Sequence, residues 1–571
     1  MTVNMIADRE MMFSLVAKFQ FKDVFSKFKF STDTEINRLS AIVSYIFGYD
    51  RDFTFCTLER AWGEDRARIS VGFSLFLIFA LDGSLVRAKD ILDQMPDCYH
   101  RRLAVKLYDY CTRQYSSTVT FRFYQGTETD LKVILESAIS SSRWLEVFSF
   151  CYFLSNDLRL QKIGSSRLRS LFAYACLKLN LKHALSVEIE KSGNFEGDLE
   201  WSSLQGYINF FSNRHEQNII LLGPLLKEKQ DSNAHFVSLA FECYCEALLR
   251  TKKLELLKKF LIADIQRNGL TPWNSLYEGV ISFSEKREYA LRIWKNIASN
   301  NSFCINHSWG VNSLVDKGVF KFPKASIDYF YERRLPARQF LYVSCADTKY
   351  AKQFSPVILK NIIDNPSIGW HYHFVVEVDS ELDGFINLLL SHPNVTISVE
   401  TVSVPMPKAY YTIARFNIAK EITKVRRGSL ILCDVDMLAL DLKSVNDWLL
   451  KEDGSIFFHY SDFYYHFPWH MIQANVVFFR GDDPSIDFLN DLVDWLENKF
   501  DPKAVSQWWI DQVAISLVST LSQHAKHCRR IIPSMVKKYA FAGSSPDRKE
   551  AYLSSFKKEN PSILGHLKHI F

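Results

Sequence analysis

Glycine and proline are scarce, with 21 and 16 among 571 residues. Collagen-like repeats and Pro/Gly-rich low-complexity chains, which need far more of both, are excluded. An excess of one charge sign is also lacking. Lys plus Arg number 69 and Asp plus Glu 64, and the resulting formal +5 is too dilute to make a polyanion-binding surface. No nucleic-acid partner is expected. Long hydrophobic runs are missing as well. The longest one worth testing, Val71 to Leu81, falls far short of the roughly 20 residues a membrane-crossing helix needs, so it reads as a buried helix and no transmembrane segment is expected. Met1 to Phe28 carries Asp8, Glu10 and Asp23 and lacks a continuous apolar stretch ending at a small-residue cleavage site, so no export signal is read. Eleven cysteines include no CxxC pair. The two closest, Cys243 and Cys245, would point about 200° apart on a helix. That spacing suits neither zinc nor a disulfide framework, and a reducing cytoplasm is expected.

What is present is an ordinary soluble composition, 47% hydrophobic and 23% charged, in a chain long enough for several folding units at roughly 100 to 200 residues each. From about residue 55 to 320 apolar residues recur at three- and four-residue spacing, which predicts helices. In Arg167 to Lys191, Leu168, Leu171 and Ala175 share a face, Asn180 marks a break and Ala184 to Ile189 opens a partner helix. Phe236 to Leu261 repeats this around Thr251-Lys252-Lys253, and Tyr277 to Ile297 repeats it around Lys286-Arg287-Glu288. Three similar helical hairpins predict a solenoid. They resemble tetratricopeptide repeats, loosely, because the Trp and Pro landmarks are mostly missing. A solenoid offers a binding face for a protein partner without naming one.

Beyond Pro336 the period changes. Phe340 to Val343, Phe374 to Val378, Val395 to Val399, Leu430 to Cys433, Ile456 to His459 and Val476 to Phe479 are short apolar or β-branched runs. Lys349 to Ile363, Glu381 to Leu390 and Ala414 to Ile422 are helical segments between them. Such alternation predicts a mainly parallel sheet covered on both faces. The expected fold class is α + α/β: a helical extension over 1–54, an all-helical, solenoid-like region over 55–325 and an α/β domain over 336–571. Ligands of such sheets bind at the carboxyl ends of the strands.

At one strand end, Leu430-Ile431-Leu432-Cys433 runs into Asp434-Val435-Asp436. A two-residue period would put both carboxylates on one side. Burying them together unpaired is costly, and a divalent cation removes the cost. Hard oxygen ligands favour Mg²⁺ or Mn²⁺. The plainer alternative is a strand ending in solvent with the acids capping the next helix.

Residues about 338 to 520 resemble a GT-A-fold glycosyltransferase of family 8 or a relative. Cys345-Ala346-Asp347-Thr348-Lys349-Tyr350 is similar to the family's opening Ala-x-Asp-x-x-Tyr, offset by one residue. The resemblance implies that Asp347 accepts a hydrogen bond from the nucleotide base and that Tyr350 flanks it; otherwise Asp347 is a helix N-cap. In Tyr410-Tyr411-Thr412-Ile413-Ala414-Arg415-Phe416 it implies that Arg415 approaches the sugar or its diphosphate, which a guanidinium can clamp with two hydrogen bonds. It makes Asp434-Val435-Asp436 the Asp-x-Asp motif, with Asp436 the firmer metal ligand and Asp434 on metal or ribose. It places Asp511-Gln512, after Trp508-Trp509, near the transferred sugar. Asp511 is a candidate catalytic residue, and the two indoles are a candidate sugar-stacking wall. The aromatic and histidine-rich stretch from Phe457 to His470 suits an acceptor loop, with Asp462 as candidate base. The family's closing His-x-x-Gly-x-x-Lys has no clean copy; the nearest candidates are Lys537 to Gly543 and Gly565 to Lys568, and His566 is carried as a third metal ligand.

The expected activity is metal-dependent transfer of a sugar, UDP-linked by preference, to a glycan, lipid-linked glycan or protein hydroxyl. Lys/Arg patches near the chain end are compatible with peripheral contact at the inner face of a membrane. Two rivals stand beside this reading. One is a haloacid-dehalogenase-type phosphatase, which also uses Asp-x-Asp after an apolar strand. The other is a helical-repeat interaction protein carrying a degenerate, inactive transferase domain.

Overall fold

The computed structural model describes residues 11–12, 21–28, 31, 34–47, 51–64, 69–114, 135, 137–139, 141, 143–154, 165–192, 197–227, 234–298, 307–316, 320–323, 340–377, 382–403, 406–461, 467–503, 507, 509–542, 546–568 and 570. Its contacts divide the chain into two compact units, Met1–Ala247 and Leu248–Phe571. Among the described residues no strand precedes Leu341.

The first unit is helical. The apolar run from Val71 to Leu81 lies within the helix Ile69–Leu81 and is buried throughout. No helix among the described residues is long and apolar enough to cross a membrane. Ser165–Lys178 and Lys182–Ser192 form the expected pair, and the break falls at Asn180, whose φ of 58° uses the left-handed conformation that Asn tolerates. Leu199–Phe211 starts on Asp198, whose carboxylate accepts from the amides of Glu200 and Trp201, the usual relief for the open donors of a helix start. It pairs closely with His215–Lys227, where the Asn218 side chain donates to the Gly206 carbonyl at 2.8 Å.

The second unit opens with helices Leu254–Asn268, Pro272–Phe283, Arg287–Asn296 and His307–Asn312. Thr271 and Asn274 form a capping box before the second of these. The turn before the third falls at Ser284–Lys286, two residues earlier than expected, so Arg287 and Glu288 belong to a first helical turn. These helices pack on the α/β domain of the same unit. Trp294 lies edge-on to Trp469 at 5.2 Å, Trp469 Nε1 donates to His307 Nδ1 at 3.3 Å, and Arg287 Nη2 donates to the Leu517 carbonyl at 2.9 Å.

All six expected strand runs form: β1 (Leu341–Asp347), β2 (Gly369–Glu377), β3 (Val395–Val402), β4 (Leu430–Cys433), β6 (Ile456–Tyr460) and β7 (Ile472–Phe479). Three short strands join them: β5 (Met437–Ala439), β8 (Cys528–Arg530) and β9 (Tyr539–Phe541). Among the described residues seven strands make one sheet in the order β3-β2-β1-β4-β7-β6-β8, and β5 pairs with β9 apart from it. The pairs β1–β2, β1–β4, β2–β3 and β6–β8 are parallel, whereas β7 runs antiparallel to β4 and β6. The sheet is therefore mixed and mainly parallel.

Helices cover both faces. One apolar layer packs α1 (Thr348–Asp364), α2 (Asp383–Leu390), α4 (Leu442–Lys451) and α8 (Pro561–Leu567) on one side through residues such as Ile358, Phe385, Val445 and Ile563. The other packs α3 (Lys408–Val425), α5 (Asp483–Lys499) and α6 (Ile510–Ser519) through Ile413, Leu492 and Ile515. From β1 the chain moves outward to β2 and β3, then returns to place β4 on the opposite side of β1. The carboxyl ends of β1 and β4 thus flank the point where strand order reverses, the crevice in which open α/β sheets receive ligands.

Candidate active site

β1 ends on Asp347, whose Oδ1 accepts from the Tyr350 amide at 2.5 Å and caps α1. β4 ends at Cys433, and the two acids that follow lie on a turn rather than on continued strand. The Asp434 amide donates to the Asn475 carbonyl at 3.2 Å, and the Met437 amide donates back to the Asp434 carbonyl at 3.1 Å. The turn redirects the chain into β5, and it overturns the expected two-residue alternation. The two carboxylates take different partners, Asp434 an arginine and Asp436 a tyrosine and a lysine, while staying near enough that Asp436 adds to the rise of Asp434.

Asp434 turns toward α3 and α6. Its Oδ1 accepts from Arg415 Nη1 at 2.5 Å, while Arg415 Nη2 donates to Asp511 Oδ2 at 3.2 Å and to the Ala474 carbonyl at 2.7 Å. The Arg415 side chain is only 3% exposed. Burial works against its charge, but Asp434 and Asp511 outweigh that and hold the guanidinium pKa above its ordinary value. Both Nη atoms therefore hold acids, whereas the expectation placed this guanidinium at the sugar or its diphosphate. Burial pushes the Asp434 carboxyl up to about 6, Arg415 opposing and Asp436 and Asp511 adding to the rise. Its side chain keeps 40% exposure, so solvent screens part of these effects. Asp511, in the first turn of α6, is buried. Burial raises its pKa against the pull of Arg415.

Asp436 turns toward α1 and α7 (Pro546–Glu559). Its Oδ2 accepts from the Tyr350 hydroxyl at 2.6 Å and lies 3.4 Å from the Lys549 ammonium. Lys549 also donates to the Tyr350 hydroxyl oxygen and sits 4.5 Å from the centre of the Tyr350 ring. Burial raises the Tyr350 pKa, and the charges of Asp436, Asp434 and Asp347 add to the rise. Tyr350 was expected beside a nucleotide base; its hydroxyl is instead tied to Asp436.

The remaining expected residues separate from this centre or serve it indirectly. With its amide nitrogen turned toward them, Gln512 donates to the carbonyls of Trp469 at 3.2 Å and Ile472 at 3.0 Å, so it secures the turn into β7. Phe457, Phe458, Phe467 and Trp469 are buried core rings, which removes them from any acceptor wall. Trp509 is half-buried and edge-on to His470 at 5.0 Å. Trp508 and Asp462 lie outside the described residues. His566 is exposed on α8. It bears on His392, whose pKa burial and this neighbour both lower, and His392 precedes β3. That is the amino-terminal edge of the parallel strands, opposite the acids, so His566 does not complete a site with them. Lys549, 113 positions after Asp436, is the residue that local sequence did not reveal.

A divalent cation can be weighed against this donor set. Among the described residues no group of three or more His, Cys, Asp or Glu side chains forms a metal-holding cluster, so a closed protein cage is not formed. Magnesium, however, commonly takes one or two carboxylates together with water and substrate phosphates. Asp434 engages Arg415 through Oδ1 alone and Asp436 engages its partners through Oδ2 alone. Asp347, Asp434, Asp436 and Asp511 outnumber the two cations Arg415 and Lys549, and the Lys549 ammonium already stands as a tethered cation against Asp436. The residues fit a divalent ion held jointly with an anionic ligand.

No protein-family model matches the chain, and no curated protein matches it. Among solved structures, the bifunctional glycosyltransferase WbbM in its apo form is 16% identical with a TM-score of 0.24, over 35% of this chain and 40% of that one. Apo mouse xyloside xylosyltransferase 1 is 11% identical with a TM-score of 0.23, over 38% of this chain and 92% of that one.

Proposed function

We propose that the α/β domain transfers a sugar from a nucleoside diphosphate, UDP by preference, to a hydroxyl of a glycan, lipid-linked glycan or protein. One observation carries this reading: Asp347 at the end of β1 and Asp434 and Asp436 beyond β4 flank the point of strand-order reversal, where a nucleotide would lie across the crevice. Asp347 and Tyr350 take the base side. Asp434 and Asp436 would hold Mn²⁺ or Mg²⁺, which when bound supplies charge stabilisation to the departing diphosphate. Arg415 acts as a positioning residue, fixing Asp434 and Asp511 without touching the donor. Gln512 and Trp469 set the turn that begins β7. The helical hairpins between residues 167 and 297, tetratricopeptide-like in sequence, offer a surface for a protein partner or a macromolecular acceptor.

A second reading, a helical-repeat protein with an inactive transferase domain, is favoured by the internal cations already bound to both acids. A donor-hydrolysis screen over sugar-nucleotides with Mn²⁺, run on the wild type and Asp436→Ala, separates the two. Turnover that falls at least about 100-fold in a folded variant, the size of a lost charge-stabilising group, supports the transferase. Turnover unchanged by the substitution removes Asp436 from the mechanism. Absence of binding and turnover throughout favours the inactive domain, and phosphate release from simple phosphomonoesters favours the phosphatase.

A further inference from the structure

We propose that Lys549 competes with the divalent cation for Asp436, so that helix α7 acts as a latch on the cation site. The inference rests on the transferase reading for its biological meaning but on geometry for its content. Asp436 is 10% exposed and Lys549 21%, so their ion pair is largely shielded from water. The ammonium is held in place by three contacts: Asp436 Oδ2 at 3.4 Å, the Tyr350 hydroxyl, and the Tyr350 ring face at 4.5 Å. A cation at a ring face and a carboxylate together is held more firmly than by either alone. Helix α7 is itself anchored beneath α1, because Leu553 and Phe556 pack with Phe354 and Val357. Lys549 is therefore presented by a helix whose buried face, Leu553 and Phe556, fixes it against α1.

A divalent ion approaching Asp436 meets an oxygen already neutralised and a like charge within contact distance. It binds at Oδ1 against the repulsion of the ammonium, or at Oδ2 by displacing Lys549. The ion's affinity for the free protein is then set by this competition and is weaker than the acid cluster alone would give. Removing the ammonium while keeping the fold relieves both the occupancy and the repulsion.

The test is Mn²⁺ binding to the full-length protein without nucleotide, followed by electron paramagnetic resonance of the free ion. Lys549→Gln is expected to bind Mn²⁺ roughly tenfold tighter than the wild type, the order of a partly buried charge pair. Lys549→Met, which keeps an apolar stem over the Tyr350 ring, should do the same if the Gln variant does not fold. Lys549→Arg keeps the charge and should bind Mn²⁺ more weakly than the Gln and Met variants. Equal or weaker Mn²⁺ binding in folded Gln and Met variants overturns the proposal, as does the absence of Mn²⁺ binding in every form. Tighter binding in the variants with no sugar-nucleotide turned over would sustain the latch and remove the transferase.

Discussion

Replacing Arg415 with Met isolates the energetics of the site without changing side-chain length much. The guanidinium bridges Asp434, Asp511 and the Ala474 carbonyl from a position 3% exposed. Removing it leaves Asp511, itself 6% exposed, as an uncompensated buried carboxylate, and breaking such a pair costs roughly 3–5 kcal/mol. Asp434 adds little, since 40% of its side chain meets water. At roughly 2–4 °C per kcal/mol for domains of a few hundred residues, the full chain should lose on the order of 10 °C in differential scanning calorimetry. Adding Asp511→Asn removes the stranded charge, and the double variant should recover at least roughly 2 kcal/mol, a coupling of the size found between contacting groups. Lowering the pH should act similarly, because protonation neutralises Asp511, and the deficit of R415M should shrink between pH 7 and 5. A cost under about 1 kcal/mol, or a deficit that Asp511→Asn fails to reduce, would refute the claim that Arg415 holds two acids together in the interior.

Protonation of the wild-type site has a definite sign. Asp434, raised to about 6, and Asp511, also raised, bind protons more tightly folded than unfolded, so their contribution is fully present below the unfolded carboxylate pKa and is lost as pH rises through the folded value. The stability difference between wild type and Asp434→Asn should therefore move in favour of the wild type as pH falls from 7 to 5, measured by denaturant titration; a difference independent of pH contradicts the raised values. At Gly310 an added Cβ would lie 2.0 Å from Cγ and 2.1 Å from Cδ2 of Trp469. Gly310→Ala should cost roughly 1–3 kcal/mol by overpacking and should alter the near-ultraviolet dichroism of the buried indole, whereas an unchanged spectrum and melt would show that the helix His307–Asn312 does not brace Trp469.

Legibility in the sequence followed the range over which each signal acts. Leu430–Cys433 was readable because four apolar residues in a row leave few alternatives, and Val395–Val402 because β-branched residues dominate it. β8, which contains Arg529 and Arg530, and the three-residue β5 and β9 carry no such run and exist through their pairing partners. Asn180 was readable as a break because few residues other than glycine adopt positive φ readily. The acid motif was found, but its geometry was not. Alternation presumes that the strand continues, whereas the amide bonds at Asp434 and Met437 close a turn. Arg415 was singled out without its partners Asp434 and Asp511, since a sequence shows a guanidinium without showing which acids surround it. Lys549 carried no local signature, because its role arises from the packing of α7 against α1. His566 was chosen by its nearness to a glycine and a lysine, and topology placed it at the opposite edge of the sheet.

If the domain is a transferase, a nucleotide binds across the strand ends of β1 and β4. Hydrogen exchange of the full-length protein with and without UDP and Mn²⁺ tests it most directly. Exchange should slow in 345–350 and 433–437, with the amino-terminal edge near His392 unaffected. Protection confined to other segments, or none at saturating UDP, would contradict it.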